Sequence, residues 1–386
     1  MTSAPPHSSQ RPLRIADLFA GPGGLDLAAE ILGIPSIGIE WDDDAVATRL
    51  AAGLRTVHGD VRLFGPDHPD FEDCDVLAGG PPCQTFSIAG SGSGRKALDL
   101  VTRFISRTHA WYEREKAGVA GETWEDIQRE LDKLDDERTG LVLQPLRWIF
   151  EAMLRPRHGQ EEPRPFEVIV LEQVPSVIEV WREYAKVLKV VGYHAEAAVY
   201  RTEQYGVPQT RRRAVLVARR RPIPDRFLAP THQPYLKGKT HGDGLFESWL
   251  SMAKALEEVY ENVEETVRRT MPFRVVSNYG SGGDPKARGR RDSGEPSATI
   301  TGKWKRNRIV TADDREADIG RLSNEEAGVF QSFPYHYPWR GSDRAQQIGN
   351  AVPPWFGVHV LSAALDRKIP DDARTKLLRW RPGKAG

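Results

Sequence analysis

Residues 166–172 read FEVIVLE. A short, unbroken apolar run of this kind, closed by an acid, suits a β-strand covered on both faces, because a strand with one wet face alternates instead. It does not stand alone. LRIADLFA, SIGIEW, CDVLAGG and RRAVLVARR read as further strands. Helical patterns separate them: GGLDLAAEILG, DDDAVATRLAAGL, LVLQPLRWIFEAML and VIEVWREYAKVLKVVG. Strands alternating with helices specify an α/β fold with a doubly wound, mostly parallel sheet, since parallel neighbours need crossover helices that cover both faces. Ligands of such sheets bind outside the C-terminal ends of the strands. Residues at those ends therefore carry the chemical reading.

The chain has 386 residues, 39% hydrophobic and 28% charged, enough apolar material for a sizeable core. No apolar run reaches the ~18 residues of a membrane helix. The N-terminus, MTSAPPHSSQRP, is polar and proline-rich, reads as a disordered leader over 1–12, and lacks the apolar core of a signal peptide. Cys74 and Cys83 are the two cysteines, with no Cys or His cluster around them, so neither a zinc site nor a disulfide scaffold is expected, and no metal. A reducing, cytoplasmic setting is the expectation, and the resemblance given below implies nucleoid association. Net charge is zero, but residues 1–100 hold 7 Lys+Arg against 14 Asp+Glu while residues 201–310 hold 22 against 12. Such asymmetry fits either a polyanion partner for the basic part or a solvated basic surface.

Beyond RRRPIPDRFLAP the pattern changes. Residues 221–240 read as a linker, 244–270 as a charged helix, and 271–310 as irregular, with short strand-like pieces. LSNEEAGVFQSFP reads as a helix whose Ser323 and Glu326 have capping-box spacing. AQQIGNAVPPWFGVHVLSAAL reads as a proline-started helix. GSGSG at 90–94 promises flexibility, so that the preceding loop opens and closes. The division expected is an α/β domain over 13–221 plus 340–386, which the resemblance given below implies to be catalytic, and a smaller, loop-rich domain with its hinge over 222–339.

The chemistry-bearing residues fall at strand ends. DLFAGPGG places Gly21, Gly23 and Gly24 in a strand-to-helix turn, where backbone can approach a ligand at a helix N-terminus. Glu40 ends the second strand and suits ribose hydroxyls; Trp41 offers a flat face; Asp60 suits an adenine amine. Together they suggest an adenosine ligand, although each alone fits a tight turn, a core side chain or a cap. Cys83 sits in LAGGPPCQTFS, where prolines 81 and 82 restrict the backbone and fix the sulfur, a potential thiolate nucleophile. A buried cysteine after a Pro-Pro turn fits PPC equally. Glu172 ends FEVIVLE, as a proton donor of raised pKa or a helix cap. Strand alternation sends Arg211 and Arg213 to one face, for an anion, a pyrimidine carbonyl or merely a charged edge.

The order of these motifs resembles the DNA (cytosine-5)-methyltransferases: DLFAGPGG, GIEWD, GDV, GGPPCQTFS, ERTGLVLQPLR, LEQVPSV, QYGVPQTRRR, RLSNEEAGVFQSFP and QQIGNAVPP. The resemblance implies a fold of the S-adenosylmethionine-dependent type, with Phe19, Gly21, Gly23, Glu40, Trp41, Asp60, Pro81, Leu141 and Asn350 around S-adenosylmethionine. It implies that Cys83 attacks carbon 6 of a flipped-out cytosine, that Glu172 binds the exocyclic amine and protonates ring nitrogen 3, that Arg213 holds the base, and that Arg211 shapes the nucleophile's surroundings. Double-stranded DNA is the implied partner, contacted by Gln84, Ser87, Thr299, Lys303, Lys305 and Arg306, with Arg288, Arg290, Arg291 and Arg308 supplying further phosphate contacts. Thr299-Ile300 matches the family's Thr-Ile or Thr-Leu pair. A cognate restriction endonuclease or defence system is a further implied partner, and the chain is expected to be a monomer.

The departures are specific. The family's Glu-Asn-Val stands here as Glu172-Gln173-Val174, and the motif leaves open whether Gln173 braces the thiol loop as the Asn does. Gly-Asn-Ser-Val stands as Gly349-Asn350-Ala351-Val352. The segment 92–137 is longer than in minimal members, and the sequence assigns it no role. A transfer-RNA cytosine methyltransferase on the same scaffold is the alternative, but its Cys-Phe-Thr motif is absent. A non-catalytic module would not need Cys83, Glu172, Arg211 and Arg213 together, and a nicotinamide enzyme would need the missing G-x-G-x-x-G.

Overall fold

The computed structural model describes residues 12–82, 92–134, 136, 138–157, 161–224, 227–238, 244–261, 264–265, 268–277 and 289–383. The leader, Cys83, Gln84, Ser87 and Arg288 therefore lie outside the described residues.

The chain begins as expected. Strand β1 (Ile15–Leu18) runs into helix α1 (Gly24–Ile31), then β2 (Ser36–Glu40), α2 (Asp43–Ala51), β3 (Thr56–His58) and β4 (Val76–Gly79). Asp42 caps α2 by accepting a hydrogen bond from Ala45 N at 2.9 Å. Next come α3 (Gly92–Ala117), α4 (Trp124–Leu131), α5 (Arg138–Leu141), α6 (Gln144–Leu154), β5 (Val168–Gln173), α7 (Ile178–Val190), β6 (His194–Arg201), β7 (Gln209–Thr210) and β8 (Arg212–Arg219). The first sheet has the order β3-β2-β1-β4-β5-β8-β6. Pairing is parallel from β3 to β5 and antiparallel on both sides of β8. Winding starts at β1, moves outward to β3, then returns to β4 on the other side, so the topological switch point lies between β1 and β4.

Gly92 to Gly94 form the first turn of α3, so this part of GSGSG is helical backbone rather than a free hinge. Strand β6, HAEAAVYR, had no clear signal in the sequence, because alanine-rich alternation is weak in β-propensity. It is held by its full-length ladder to β8.

The second half is smaller and less regular. Helix α8 (Met252–Tyr260) is shorter than the helix expected over 244–270. Ser251 caps it by accepting from Lys254 N at 3.2 Å, while Glu247 is drawn into a β-bridge with His232. Strands β9 (Phe273–Val276), β10 (Arg290–Asp292), β12 (Arg308–Thr311) and β13 (Asp318–Gly320) form an antiparallel sheet of order β10-β9-β12-β13. Between them β11 (Ser297–Ala298) leaves that sheet and pairs with β7. The capping box is present at α9 (Asn324–Phe330), where Ser323 Oγ accepts from Glu326 N and Glu326 Oε2 accepts from Ser323 N. The expected proline-started helix is two helices, α10 (Arg344–Asn350) and α11 (Pro354–Leu365). The break is physical: Pro353 and Pro354 lack donors and force extended backbone before them, and Pro354 opens α11. A last helix, α12 (Ala373–Arg379), follows.

Two hydrophobic clusters cover the two faces of the large sheet. One gathers α1, α8, α11 and the small sheet around residues such as Leu27, Leu256, Phe273 and Leu361. The other gathers α3, α4, α6 and α7 around Trp111, Trp148, Phe150 and Trp181, with Cys74 fully buried among them. Among the described residues no helix is long and apolar enough to cross a membrane.

Close backbone approach fixes the junction between the two sheets. A Cβ on Gly349 would lie 2.1 Å from Gly302 N, whereas one on Gly294 would meet nothing within 4 Å. Gly349→Ala should therefore lower stability by about 1–3 kcal/mol through overpacking, while Gly294→Ala leaves the melting temperature within a degree or two. Thermal unfolding of both variants checks this.

Candidate active site

A cavity of about 980 Å³ opens at the switch point. Phe19, Gly21, Glu40, Trp41, Asp60, Leu141, Glu172, Arg213 and Asn350 line it, so strand ends far apart in sequence meet on one space. Gly23 and Pro81 stand behind the wall, and Pro82 takes the lining position. Gly23 has φ of 101°, and a Cβ there would lie 2.2 Å from Leu54 Cδ1, so its role is the turn and its packing. Phe19 also adopts a left-handed conformation, with φ of 59°, a strained geometry for a side chain and one that clusters at ligand sites.

The β1–β2 corner is built around Glu40. Its Oε2 accepts from Gly21 N at 2.7 Å, and its Oε1 from Trp41 N and Asp42 N at 2.9 Å. An ionised carboxylate has about four acceptor sites. One remains on Oε2 for a hydroxyl donor. Trp41 is 61% exposed, so this ring is a surface rather than part of the core. Asp60 is held by Arg62: Oδ1 accepts from Arg62 N at 2.9 Å, and Oδ2 from its Nε and Nη2 at 2.9 and 2.6 Å. Burial acts to raise the Asp60 pKa, but the hydrogen bonds from Arg62 outweigh it and hold it below the usual range.

Below the cavity floor lies a group that the motifs did not flag. Asp17 is 2% exposed and lines the cavity, and among the described residues its Oδ1 has no hydrogen-bond partner. Burial, reinforced by nearby Asp26, pushes its carboxyl well above the usual range, against the pull of Arg49. Arg49 is itself buried and donates to Asp26 Oδ2 at 2.6 Å. Asp17 sits in an apolar strand, where its identity could be read but not its orientation.

Across the switch point, Glu172 and Arg213 share one face of the β5–β8 ladder, offset diagonally because Glu172 pairs with Val215. Arg213 Nε lies 2.6 Å from Glu172 Oε1, and both side chains are largely buried. Burial drives the Glu172 pKa above its ordinary value, opposed by Arg213 and Arg211. Gln173 resolves what its motif left open: its Nε2 donates to Pro81 O at 2.7 Å, and its Oε1 accepts from Val174 N at 2.5 Å. The longer amide folds back on its own strand end and still braces the stem of the thiol loop.

Arg211 goes elsewhere. It lies between β7 and β8, where no strand alternation applies, and it does not line the cavity. Its guanidinium donates to Ile300 O and Gly349 O at 2.9 Å and to Ala351 O at 3.2 Å. Gln209 works beside it, accepting from Ile300 N at 2.7 Å and donating to Phe330 O and Gln331 Oε1. The Thr299 hydroxyl donates to Thr210 O at 2.8 Å. The Thr-Ile pair is thus docked on β7. Lys303, Lys305 and Arg306 stand exposed in the next turn, which meets α10 where Gly302 abuts Gln346 at the cavity wall. Arg290 is committed to Glu316 at 2.9 Å and Arg291 lies over the Tyr235 ring.

The arrangement combines the Glu40–Trp41–Asp60 corner with a buried acid–guanidinium pair in a single cavity. The model of the family described as C-5 cytosine-specific DNA methylase matches residues 13–106 and 162–364. The chain belongs to this family. A type II methyltransferase of Neisseria gonorrhoeae, M.NgoFVII, is 25% identical over 93% of this chain and 87% of its own length. M.Sau96I of Staphylococcus aureus, also a type II methyltransferase, is 26% identical over 88% of this chain and 72% of its own. Among solved structures, the S. pombe Dnmt2 methyltransferase superposes with a TM-score of 0.57 at 16% identity, covering 92% of this chain and 98% of that one. The Entamoeba histolytica methyltransferase EhMeth gives 0.54 at 13%, over 92% and 99%. These share the S-adenosylmethionine-dependent methyltransferase fold. The family is one of DNA methylases, and the transfer-RNA alternative is not favoured.

Two outcomes follow for this member of the family. Gln173→Leu removes the hydrogen bond to Pro81 O and should cost about 1 kcal/mol, with turnover falling more than donor binding; Gln173→Asn tests whether the shorter amide restores it. The Glu172 pKa is raised on folding, so its contribution to stability is complete below the unfolded value and fades as pH rises through the folded one. The stability of wild type relative to Glu172→Gln should therefore fall as pH increases above about 4.5, read as the difference in melting temperature across buffers.

Proposed function

We propose that this protein methylates carbon 5 of a cytosine extruded from a specific duplex DNA sequence, as a modification enzyme of the restriction-modification kind. The buried Glu172–Arg213 pair, facing the same cavity as Glu40 and Trp41, is the observation that carries the reading. The relatives named type II methyltransferases support the restriction-modification setting, and a cognate endonuclease is the partner to seek. We assign catalysis to residues 13–221 and 340–386 and target recognition to 222–339. A cytoplasmic monomer is the working form.

Phe19, Gly21, Glu40, Trp41, Asp60, Leu141 and Asn350 hold the methyl donor, with Gly23 and Pro81 shaping the turns behind them. The donor set fits: Glu40 keeps one acceptor site, and Asp17 Oδ1 has no partner. When bound, S-adenosylmethionine supplies an electrophilic methyl group there. Cys83, as its thiolate, adds to carbon 6 of the extruded base. Glu172 gives its proton to ring nitrogen 3 as the sulfur–carbon bond forms, and the electron pair becomes available at carbon 5. Burial suits Glu172 to this step because it keeps the proton to higher pH. Arg213 donates to the base carbonyl and opposes any drift of Glu172 from the ring. After methylation the carbon 5 proton leaves to solvent, the carbon–sulfur bond breaks, and Glu172 recovers its proton from nitrogen 3. Covalent addition thus divides one hard substitution into easier steps, and extrusion of the base costs a few kcal/mol. Arg211 acts as a positioning residue. Gln84, Ser87, Thr299, Lys303, Lys305 and Arg306 serve DNA, the cations mainly at phosphates.

Purified protein incubated with S-adenosylmethionine and 5-fluorocytosine duplexes should form a denaturation-resistant adduct, and Cys83→Ser should form none. Bisulfite sequencing of a host expressing only this protein reads the target sequence. Methylation of transfer RNA with none on duplex DNA would overturn the reading.

A further inference from the structure

The family match breaks between residues 106 and 162, and that interval takes in the larger part of the segment 92–137, to which the sequence assigned no role. Its helices do not stand apart from the cavity. Asp136, Arg138 and Leu141 line it, opposite Trp41 and Asp60.

A continuous circuit of polar contacts ties this segment to the loop that carries Asp60. Asp60 takes three hydrogen bonds from Arg62. Arg62 Nη1 reaches Asp132 Oδ1, just past α4, at 3.6 Å. The same Asp132 oxygen accepts from Gln128 Nε2 at 2.7 Å, Gln128 Oε1 accepts from Gln144 Nε2 at 2.8 Å, and Gln144 Oε1 accepts from Arg147 Nε at 2.8 Å. Arg147 is buried, is neutralised by Glu151 at 2.9 Å, and donates through Nη2 to Val61 O at 3.0 Å and Phe64 O at 2.7 Å. The circuit ends on the loop from which it began. Residues 60–64 are therefore gripped at Asp60 by Arg62 and at the two carbonyls by Arg147, and both grips are referred to α4 and α6.

We propose that Arg62, held by Asp132, is a positioning residue of the donor site: it leaves Asp60 one free acceptor directed at the exocyclic amine of a bound adenine. The proposal rests on the reading of this cavity as an S-adenosylmethionine site. Three of about four acceptor sites on the Asp60 carboxylate are taken by Arg62. What remains is an oriented, ionised acceptor with no proton to give. It accepts from a purine 6-amine and faces a purine 6-carbonyl oxygen with repulsion, so the fold built around the family core sharpens the choice of donor base. Exposure of Arg62 is moderate, with a side chain 25% accessible, so its removal need not disturb the core.

The test uses the full chain and measures equilibrium binding of S-adenosylhomocysteine and of its deaminated form, S-inosylhomocysteine, by calorimetry. Wild type should prefer the adenine compound. Arg62→Met should weaken binding of S-adenosylhomocysteine by about tenfold, the scale of one hydrogen bond to a charged group, and shrink its preference over the inosine compound, while Arg62→Lys restores part of both. Asp132→Asn should produce a smaller loss in the same direction, and the double variant should be no worse than Arg62→Met alone, because Asp132 acts through Arg62. A merely structural role would lower the melting temperature and weaken both compounds equally, which overturns the proposal. Tighter binding by Arg62→Met also overturns it, since Arg62 would then be competing with adenine for Asp60. Failure of wild type to bind either compound sinks the reading of the cavity itself.

Discussion

One buried cation holds the architecture together. Arg211 is 1% exposed and has no carboxylate bonded to it; instead it donates to backbone carbonyls of Ile300, Gly349 and Ala351. Those carbonyls belong to the segment that follows β11 and to the end of α10, about 90 and 140 residues away along the chain. Burial lowers the Arg211 pKa well below its ordinary value, so its charged form is costly here. The cost is offset only if every carbonyl is in place, and the folded arrangement of the three segments is therefore all-or-none. Gln209 and Gln331 extend the lock, since Gln331 Nε2 donates to Ile348 O. The segment after β11 and the cavity wall are fixed by one set of buried polar groups.

The cavity exploits that rigidity electrostatically. On one side, Glu40 and Asp60 are acceptors saturated almost to their limit by backbone and guanidinium donors, and Arg62 holds the Asp60 pKa below the usual range. On the other, Glu172 is a carboxyl held toward its neutral form by burial, against Arg213 and Arg211. Identical functional groups thus have opposite tasks because their surroundings differ. Glu40 and Asp60 accept hydrogen bonds. Glu172 is suited to giving a proton.

Much of the first half was legible. The run FEVIVLE became β5, and Glu172 ended where a ligand of an open α/β sheet would meet it. The Ser323–Glu326 spacing formed its capping box. What failed were readings that depend on distant partners. Arg211 and Arg213 looked equivalent by alternation, but the ladder is interrupted between β7 and β8, and only Arg213 reaches the cavity. The helix expected over 244–270 is shortened by a bridge from His232, a residue that no local window contains. The motif left open whether Gln173 serves as a brace, and the fold answers it: the longer amide folds back and reaches Pro81 O.

The sequence by itself determined the strand–helix alternation, and with it the mostly parallel sheet, because periodicity and turn glycines are local properties. It also determined the residue types at the strand ends. Only the tertiary structure decided which acid is solvated by donors and which is dehydrated, that Asp17 Oδ1 lies unpartnered at the cavity among the described residues, and that α4 and α6 grip the Asp60 loop. Those are properties of burial and of contacts between residues far apart in the chain, and ionisation follows from them rather than from the residue's name.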